Sequence, residues 1–298
     1  MRNLIFTING GIGKCIVGTA VCSAIKKKYP NDNLIVVSGY PEVFINNINV
    51  YKSLAWGSLS YFYQDYIDNK DAKVFAQDPY LATDFVNQSK HFIQVWCELF
   101  GLMYQGELPE IFLTKRETDF FQNQIQSDKP ILLMQTNGGA DKKKYSWARD
   151  IPIGVVLKVI EEFKGDYNIM HVKREDQISY PNTTALTGEL RQILAVSLLS
   201  SKRLLIDSFL QHALGGMQIP SVVCWIINSP NVVGYESHTH VLAEEFTKKP
   251  ELRKSFLSKF SLNGDELEFP YNNEREIFNV DKIIKALKTE KNENILPK

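Results

Sequence analysis

Apolar residues at the start of this chain come first as a continuous run and then at helical spacing. Leu4–Ile8 reads as a buried strand, and Gly10–Gly13 as a turn. From Cys15 to Lys28 the apolar positions Ile16, Ala20, Val21, Ala24 and Ile25 share a helical face. The stretch ends in Lys26-Lys27-Lys28, cations that suit the negative end of a helix dipole. Leu34-Ile35-Val36-Val37-Ser38 is a second buried strand. Strand, glycine turn, helix and strand in this order predict a βαβ element with parallel strands.

The pattern is less regular between Tyr51 and Tyr104, where Trp56, Tyr61, Phe62, Tyr63, Tyr66, Tyr80 and Trp96 cluster. Aromatic rings stack on sugars or bases, but they also fill cores, and core filling is the commoner use. Lys115–Gln126 is polar and helical in pattern, and Ser127-Asp128-Lys129-Pro130 punctuates the approach to another apolar run. A domain boundary is placed there, giving an N-terminal domain 1–128 and a C-terminal domain 129–298. The same rhythm then restarts. Strands are predicted at Ile131–Met134, Tyr167–Val172, Leu204–Ile206 and Ser221–Ile226, with helices at Ile153–Phe163, Leu190–Leu199, Phe209–Met217 and Ile277–Leu287. Two consecutive doubly wound α/β units follow, with ligand expected at the carboxyl ends of their strands.

At 298 residues the chain has the length of two ordinary domains, and 44% hydrophobic with 23% charged residues is a folded composition. Basic and acidic residues balance at 34 each. Tight nucleic-acid binders carry a basic excess, so balance argues against DNA as a held partner while leaving it open as a transient substrate. No run approaches the roughly 20 apolar residues that span a bilayer. The N-terminus leads straight into the glycine turn and is expected to be a buried strand, not a signal peptide. The four cysteines, Cys15, Cys22, Cys97 and Cys224, form no CxxC pair. Reduced structural thiols and a cytoplasmic location are the expectation.

Two segments carry candidate chemistry. The first is Asn9-Gly10-Gly11-Ile12-Gly13-Lys14-Cys15, a glycine turn between strand and helix where backbone amides can approach an anion. A Walker A loop requires G-x-x-x-x-G-K-[ST]. Gly13-Lys14 fits, but Ile8 stands at the first glycine position and Cys15 replaces the magnesium-binding hydroxyl. The GGxGK form of partition-type ATPases is nearer and lacks that hydroxyl too. A dinucleotide fingerprint fails at Ile16. A ligand-contacting loop, a purely structural turn and a P-loop-type ATPase using Gly10–Lys14 all stay open.

The second segment runs from Leu204-Leu205-Ile206-Asp207-Ser208 through Phe209-Leu210-Gln211-His212-Ala213 to Gly215-Gly216 and Pro220. A strand ends in Asp-Ser, both good N-caps, at the positive end of a new helix whose small residues allow close packing. Serine and histidine at a helix N-terminus make a natural diphosphate seat, and an ordinary capped helix is the plain alternative. The run resembles the D-S-G-P-x-H-x-A-x-x-x-G-x-P-x-V segment of glycosyltransferase family 9, the ADP-heptose:lipopolysaccharide heptosyltransferases of GT-B fold. Asp207, Ser208, His212, Ala213, Gly216, Pro220 and Val222 match when small gaps are allowed, with Phe209-Leu210 in place of the usual Gly-Pro. Other stretches follow in the family's order. Gly11–Pro30 resembles its opening loop and first helix, and Gln135–Pro152 its second-domain opening. Thr187-Gly188-Glu189-Leu190 resembles its T-G…L stretch, and Asn228–Tyr235 its loop after the strand.

The resemblance implies an α/β GT-B fold, two Rossmann-like domains facing a cleft. It implies a metal-independent inverting glycosyltransferase that moves a hexosyl, heptosyl or pentosyl group from a nucleotide-diphosphate sugar to a hydroxyl acceptor. That acceptor would be a surface or lipid-linked glycan, or a hydroxylated nucleobase of modified DNA. Asn137, Lys144, Asp207, Ser208 and His212 would face the donor phosphates. Gly188 and Tyr235 would lie near the nucleoside or sugar, and Gly11 and Gly13 in the acceptor loop. No metal and no cofactor beyond the donor substrate are expected.

One position departs from the family, which carries an aspartate just after the opening glycine, able to act as general base. The matching residue here is Lys14, normally protonated and a poor base. Either the base lies elsewhere, with Asp78, Asp84 and His91 as candidates, or Lys14 binds an anionic acceptor or phosphate, or the acceptor differs. A catalytically silent GT-B-like binding module is a further alternative. His238 and His240 lack a third metal ligand and are expected at the surface. No DxD ends an apolar strand, and neither G-x-S-x-G nor H-E-x-x-H occurs.

Overall fold

The computed structural model describes residues 1–57, 60–125, 127–138, 145–248 and 269–289. The chain divides into two compact units, Met1–Phe112 and Leu113–Lys298. In the first, β1 (Asn3–Ile8), α1 (Ile12–Lys28) and β2 (Asn33–Ser38) form the expected βαβ element. Then come β3 (Lys52–Ala55), α2 (Phe62–Tyr66), β4 (Ala72–Phe75), α3 (Thr83–Val86) and α4 (Phe92–Leu99). The strands are all parallel, in the order β3-β2-β1-β4.

β1 is therefore central. Alternation along it sends Phe6 toward Trp96 of α4, with 5.3 Å between ring centroids, and Ile5 toward Ile35, Val37 and Phe62 on the other face. Of the aromatic cluster, Trp96 is core, whereas Trp56, Tyr61 and Tyr63 are exposed. α1 is buried along most of its length and lies close on the sheet at Gly18, where a Cβ would come within 2.6 Å of Ile8. Its closing lysines are used locally: Lys26 donates to the carbonyls of Pro30 and Asp32, and Lys27 pairs with Glu107 at 2.8 Å.

The second unit begins with α5 (Lys115–Gln124), β5 (Ile131–Met134), α6 (Ile153–Phe163), β6 (Asn168–Val172), β7 (Thr184–Leu186) and α7 (Leu190–Leu199). It continues with β8 (Lys202–Ile206), α8 (Phe209–Gly216), β9 (Val222–Trp225), α9 (Pro230–Val233), β10 (Thr239–Leu242) and α10 (Val280–Thr289). All strands are parallel in the order β10-β9-β8-β5-β6-β7, the doubly wound order of a dinucleotide-binding sheet. Leu132, Met134, Leu204, Ile206 and Val222 pack with Val156 and Ile160 of α6 and Ile283 and Leu287 of α10. Lys202 and Arg203 open β8 as buried cations satisfied by carbonyls, Leu287 accepting from the first and Ser197 from the second. The Lys202 bond ties α10 to the sheet at the helix end whose carbonyls lack intrahelical partners.

The division between the units falls before α5, not after it as the punctuation at Ser127–Pro130 suggests. α5 belongs with α7: Arg191 of α7 holds Glu117 of α5 at 2.5 Å, and Glu117 also completes a capping box with Thr114. All four cysteines are buried and none is in a disulfide. Among the described residues, no helix is long and apolar enough to cross a membrane.

Candidate functional site

The strand order of the second unit reverses between β5 and β8, and a doubly wound sheet opens a crevice at the carboxyl ends of such a pair. Gln135 directly follows β5, and Asp207-Ser208 directly follow β8. Gln135 Nε2 donates to Ser208 Oγ at 3.2 Å across that reversal. Asp207 is buried, and one of its carboxylate oxygens accepts from the Asn228 amide. Ser208 is the extended N-cap of α8, and its own side chain makes no cap bond to the first-turn amides. That end of the helix carries the positive side of its dipole.

One turn along, half-buried His212 presents Nδ1 to the Tyr235 hydroxyl at 3.0 Å. The Tyr235 ring rests on α8 at Gly215, where a Cβ would stand 2.2 Å from it. His238 is buried, its Nε2 2.9 Å from the Gln211 carbonyl, and burial lowers its pKa to about 4. His240 is half-buried and accepts from the Trp225 indole at 3.0 Å. The expectation of two surface histidines is thus corrected, because both support the strands and loop behind α8.

Asn137, after β5, donates to Asp150 at 3.2 Å and accepts from Thr136 at 2.9 Å. Asp150 also accepts from the backbone of Gly138 at 2.7 Å and of Ser146 at 2.8 Å, which pins the described residues flanking 139–144. Burial raises its carboxyl pKa, with those bonds opposing. Sequence reasoning missed Asp150, whose only signal was an isolated acid beside the Ile151-Pro152 helix start. Lys144 lies outside the described residues. Gly188 follows β7, at the sheet edge away from β8, and its neighbour is the Gln192 side chain. Asp207, Ser208, His212 and Tyr235 therefore gather around α8, with Asn137 on the adjoining β5 loop, while Gly188 stands apart. An open cavity of about 550 Å³ bounded by Phe121, Tyr167, Met170 and Thr184 contains none of these residues.

The first unit repeats the arrangement, its order reversing between β1 and β4. Gly10 has φ +123° and Gly11 is the N-cap of α1, with Gly13 in the first helical turn. The left-handed backbone favours glycine at position 10, and the Lys14 stem lies against it, 3.1 Å from where a Cβ would be. The Lys14 ammonium is bonded to Asp78 Oδ2 at 2.7 Å, with the rings of Tyr80 and Trp96 at 4.9 and 5.6 Å. Trp56 donates its indole N–H to the Ile8 carbonyl at 3.2 Å on the opposite side of β1. Asp84 pairs instead with Lys90 and Ser89, which lower its pKa, and His91 caps α4 by accepting from Ile93. Lys14 and Asp78 come together; Asp84 and His91 serve local structure.

No family model and no curated protein matches this sequence. Solved structures do match its fold. Heptosyltransferase II of Escherichia coli is 12% identical with a TM-score of 0.64, over 81% of this chain and 90% of that one. A family 9 glycosyltransferase of Veillonella parvula is 14% identical with a TM-score of 0.66, over 97% and 96%. The dodecameric iron-containing heptosyltransferase TibC of enterotoxigenic E. coli, in complex with ADP-heptose, is 15% identical with a TM-score of 0.66, over 96% and 76%. At such identities the likeness is one of fold: the chain has the fold of family 9 glycosyltransferases and heptosyltransferases, a GT-B fold built of two Rossmann-like α/β units.

Proposed function

We propose that this chain is an inverting, metal-independent glycosyltransferase whose nucleoside-diphosphate sugar donor seats its phosphates at the N-terminus of α8. The observation that carries the reading is the start of α8, at the strand reversal of the second sheet, where the Ser208 side chain makes no cap bond to the helix and His212 stands one turn along. First-turn amides and the positive end of the dipole attract a diphosphate. Ser208 accepts from Gln135 and keeps its hydroxyl hydrogen to donate. His212 stands beside this helix end, its Nδ1 3.0 Å from the Tyr235 hydroxyl and both ring nitrogens within 3.2 Å of the Gln211 side-chain nitrogen. Donors such as the first-turn amides and Ser208 stabilise the charge that builds on the departing diphosphate.

The acceptor is a hydroxyl of a surface or lipid-linked glycan, or of a hydroxylated nucleobase in DNA, taken beside the Gly10–Gly11 loop. The E. coli heptosyltransferase structures hold ADP or ADP-heptose, so adenine-linked sugars are the first donors to try. Thermal-shift measurements with ADP-heptose, ADP-glucose, UDP-glucose and ATP–magnesium test the reading. Stabilisation by a nucleoside-diphosphate sugar, lost in Ser208→Glu, is the expected result. Stabilisation by ATP–magnesium alone, abolished by Lys14→Ala, would instead indicate an ATPase and sink the transferase.

A further inference from the structure

We propose that Asp78 is the catalytic base, delivered to the acceptor hydroxyl by the loop after β4 and held in place by Lys14; this rests on the glycosyltransferase reading above. Where a carboxylate resembling the family's would sit on the glycine loop, this chain has a lysine, and that lysine reaches a carboxylate from the neighbouring strand. Asp78 follows β4 and Lys14 follows β1, the pair of strands at which the first sheet reverses its order. Of the candidate bases, Asp78 is bonded to Lys14 in the first turn of α1, whereas Asp84 pairs with Lys90.

The geometry suits a base. Asp78 Oδ2 accepts from Lys14 at 2.7 Å and Oδ1 from the Tyr80 backbone at 3.0 Å, which together fix the carboxylate's orientation. Each oxygen has a second lone pair, and the side chain is 39% exposed, so an incoming hydroxyl can reach it. The lysine side chain, by contrast, is 5% exposed. Tyr80 and Trp96 present ring faces to its ammonium, which offsets part of its desolvation. Lys14 is thus a positioning residue, directed inward, with Asp78 as its counter-ion.

In the step itself the acceptor O–H proton passes to the Asp78 carboxylate. The acceptor oxygen forms its bond to the anomeric carbon. The bond from that carbon to the diphosphate breaks, and its electron pair leaves on the nucleoside diphosphate.

Calorimetry with ADP-heptose, ADP-glucose and UDP-glucose selects the donor that the full chain binds, and its hydrolysis, with water as acceptor, is followed by nucleoside-diphosphate release. Asp78→Asn is expected to bind that donor as the wild type does but to release product roughly 10²–10⁴-fold more slowly, the usual contribution of a positioned base. Because Asp78→Asn leaves Lys14 buried without its counter-ion, the double variant Lys14→Met/Asp78→Asn is measured alongside. It is expected to regain thermal stability and to stay slow. An Asp78→Asn protein that hydrolyses donor as fast as wild type overturns the assignment while leaving the transferase standing. Absence of donor binding by the wild type overturns the transferase reading and the assignment with it.

Discussion

The Nδ1 of His212 stands 3.0 Å from the Tyr235 hydroxyl, and the tyrosine ring lies so near Gly215 that a Cβ there would meet it at 2.2 Å. The absence of a side chain at 215 is what lets the tyrosine reach the histidine. Gly215→Ala is expected to push the ring aside, to destabilise by roughly 1–3 kcal/mol through overpacking, and to weaken nucleoside-diphosphate binding. Thermal denaturation and calorimetry with ADP check both effects. A variant as stable and as tight as wild type would count against the arrangement.

Asp150→Ala is expected to release the Gly138 and Ser146 amides and the Asn137 side chain together. The loss is about 1–3 kcal/mol, the cost of buried donors left unpaired. Hydrogen exchange reads this directly, since both amides should lose protection while β5 keeps its own. Unchanged protection would show that Asp150 does not hold this loop.

Hydrogen bonding to Arg191 is the largest cause that takes the Glu117 carboxyl down to about 2 from an ordinary 4.5. The folded state therefore favours the ionised form. Its contribution is complete above about pH 4.5 and disappears as pH falls toward 2. Glu117→Gln keeps an acceptor for the capping box and loses the ion pair, for an expected loss of about 1 kcal/mol at neutral pH. Urea titrations at several pH values should show the gap between variant and wild type closing in acid.

Burial drives His171 and His238 each from 6.5 to about 4. The unfolded chain takes up protons at these positions that the folded chain resists, so stability falls as pH drops from 6.5 toward 4. The slope is about 1.4 kcal/mol per pH unit for each histidine. Replacing either by glutamine should remove its share of that slope, even though the substitution costs a hydrogen bond at neutral pH. Denaturation curves between these pH values decide it, and an unaltered slope would mean that the replaced histidine titrates normally when folded.

The strands that could be read in the sequence are those buried on both faces. β1, β2, β5, β6, β8 and β9 are mostly apolar and almost wholly buried, as parallel strands covered on both faces are. β3, β7 and β10 lie at sheet edges, and β4 closes the first sheet. They are only three or four residues long with exposed positions such as Lys52, Val74, Thr184 and Thr239. No periodicity develops over so few residues. Missing β4 had a direct effect on the site, because the position of Asp78 just beyond its end was then invisible. The donor side was more legible, since Asp207, Ser208 and His212 are contiguous with a long apolar strand. Asp150 and Gln135 act across loops, through bonds that sequence spacing does not encode.

The buried thiols have a practical consequence. Burial pushes Cys15 up to about 11 and Cys97 up to about 12, and raises Cys22 and Cys224 as well. Maleimides attack the thiolate, which all four native cysteines lack at neutral pH and keep out of solvent besides. A cysteine introduced at an exposed position such as Met103, 76% accessible, would then carry a fluorophore alone. The wild-type chain is already the background that single-site labelling ordinarily requires several substitutions to build.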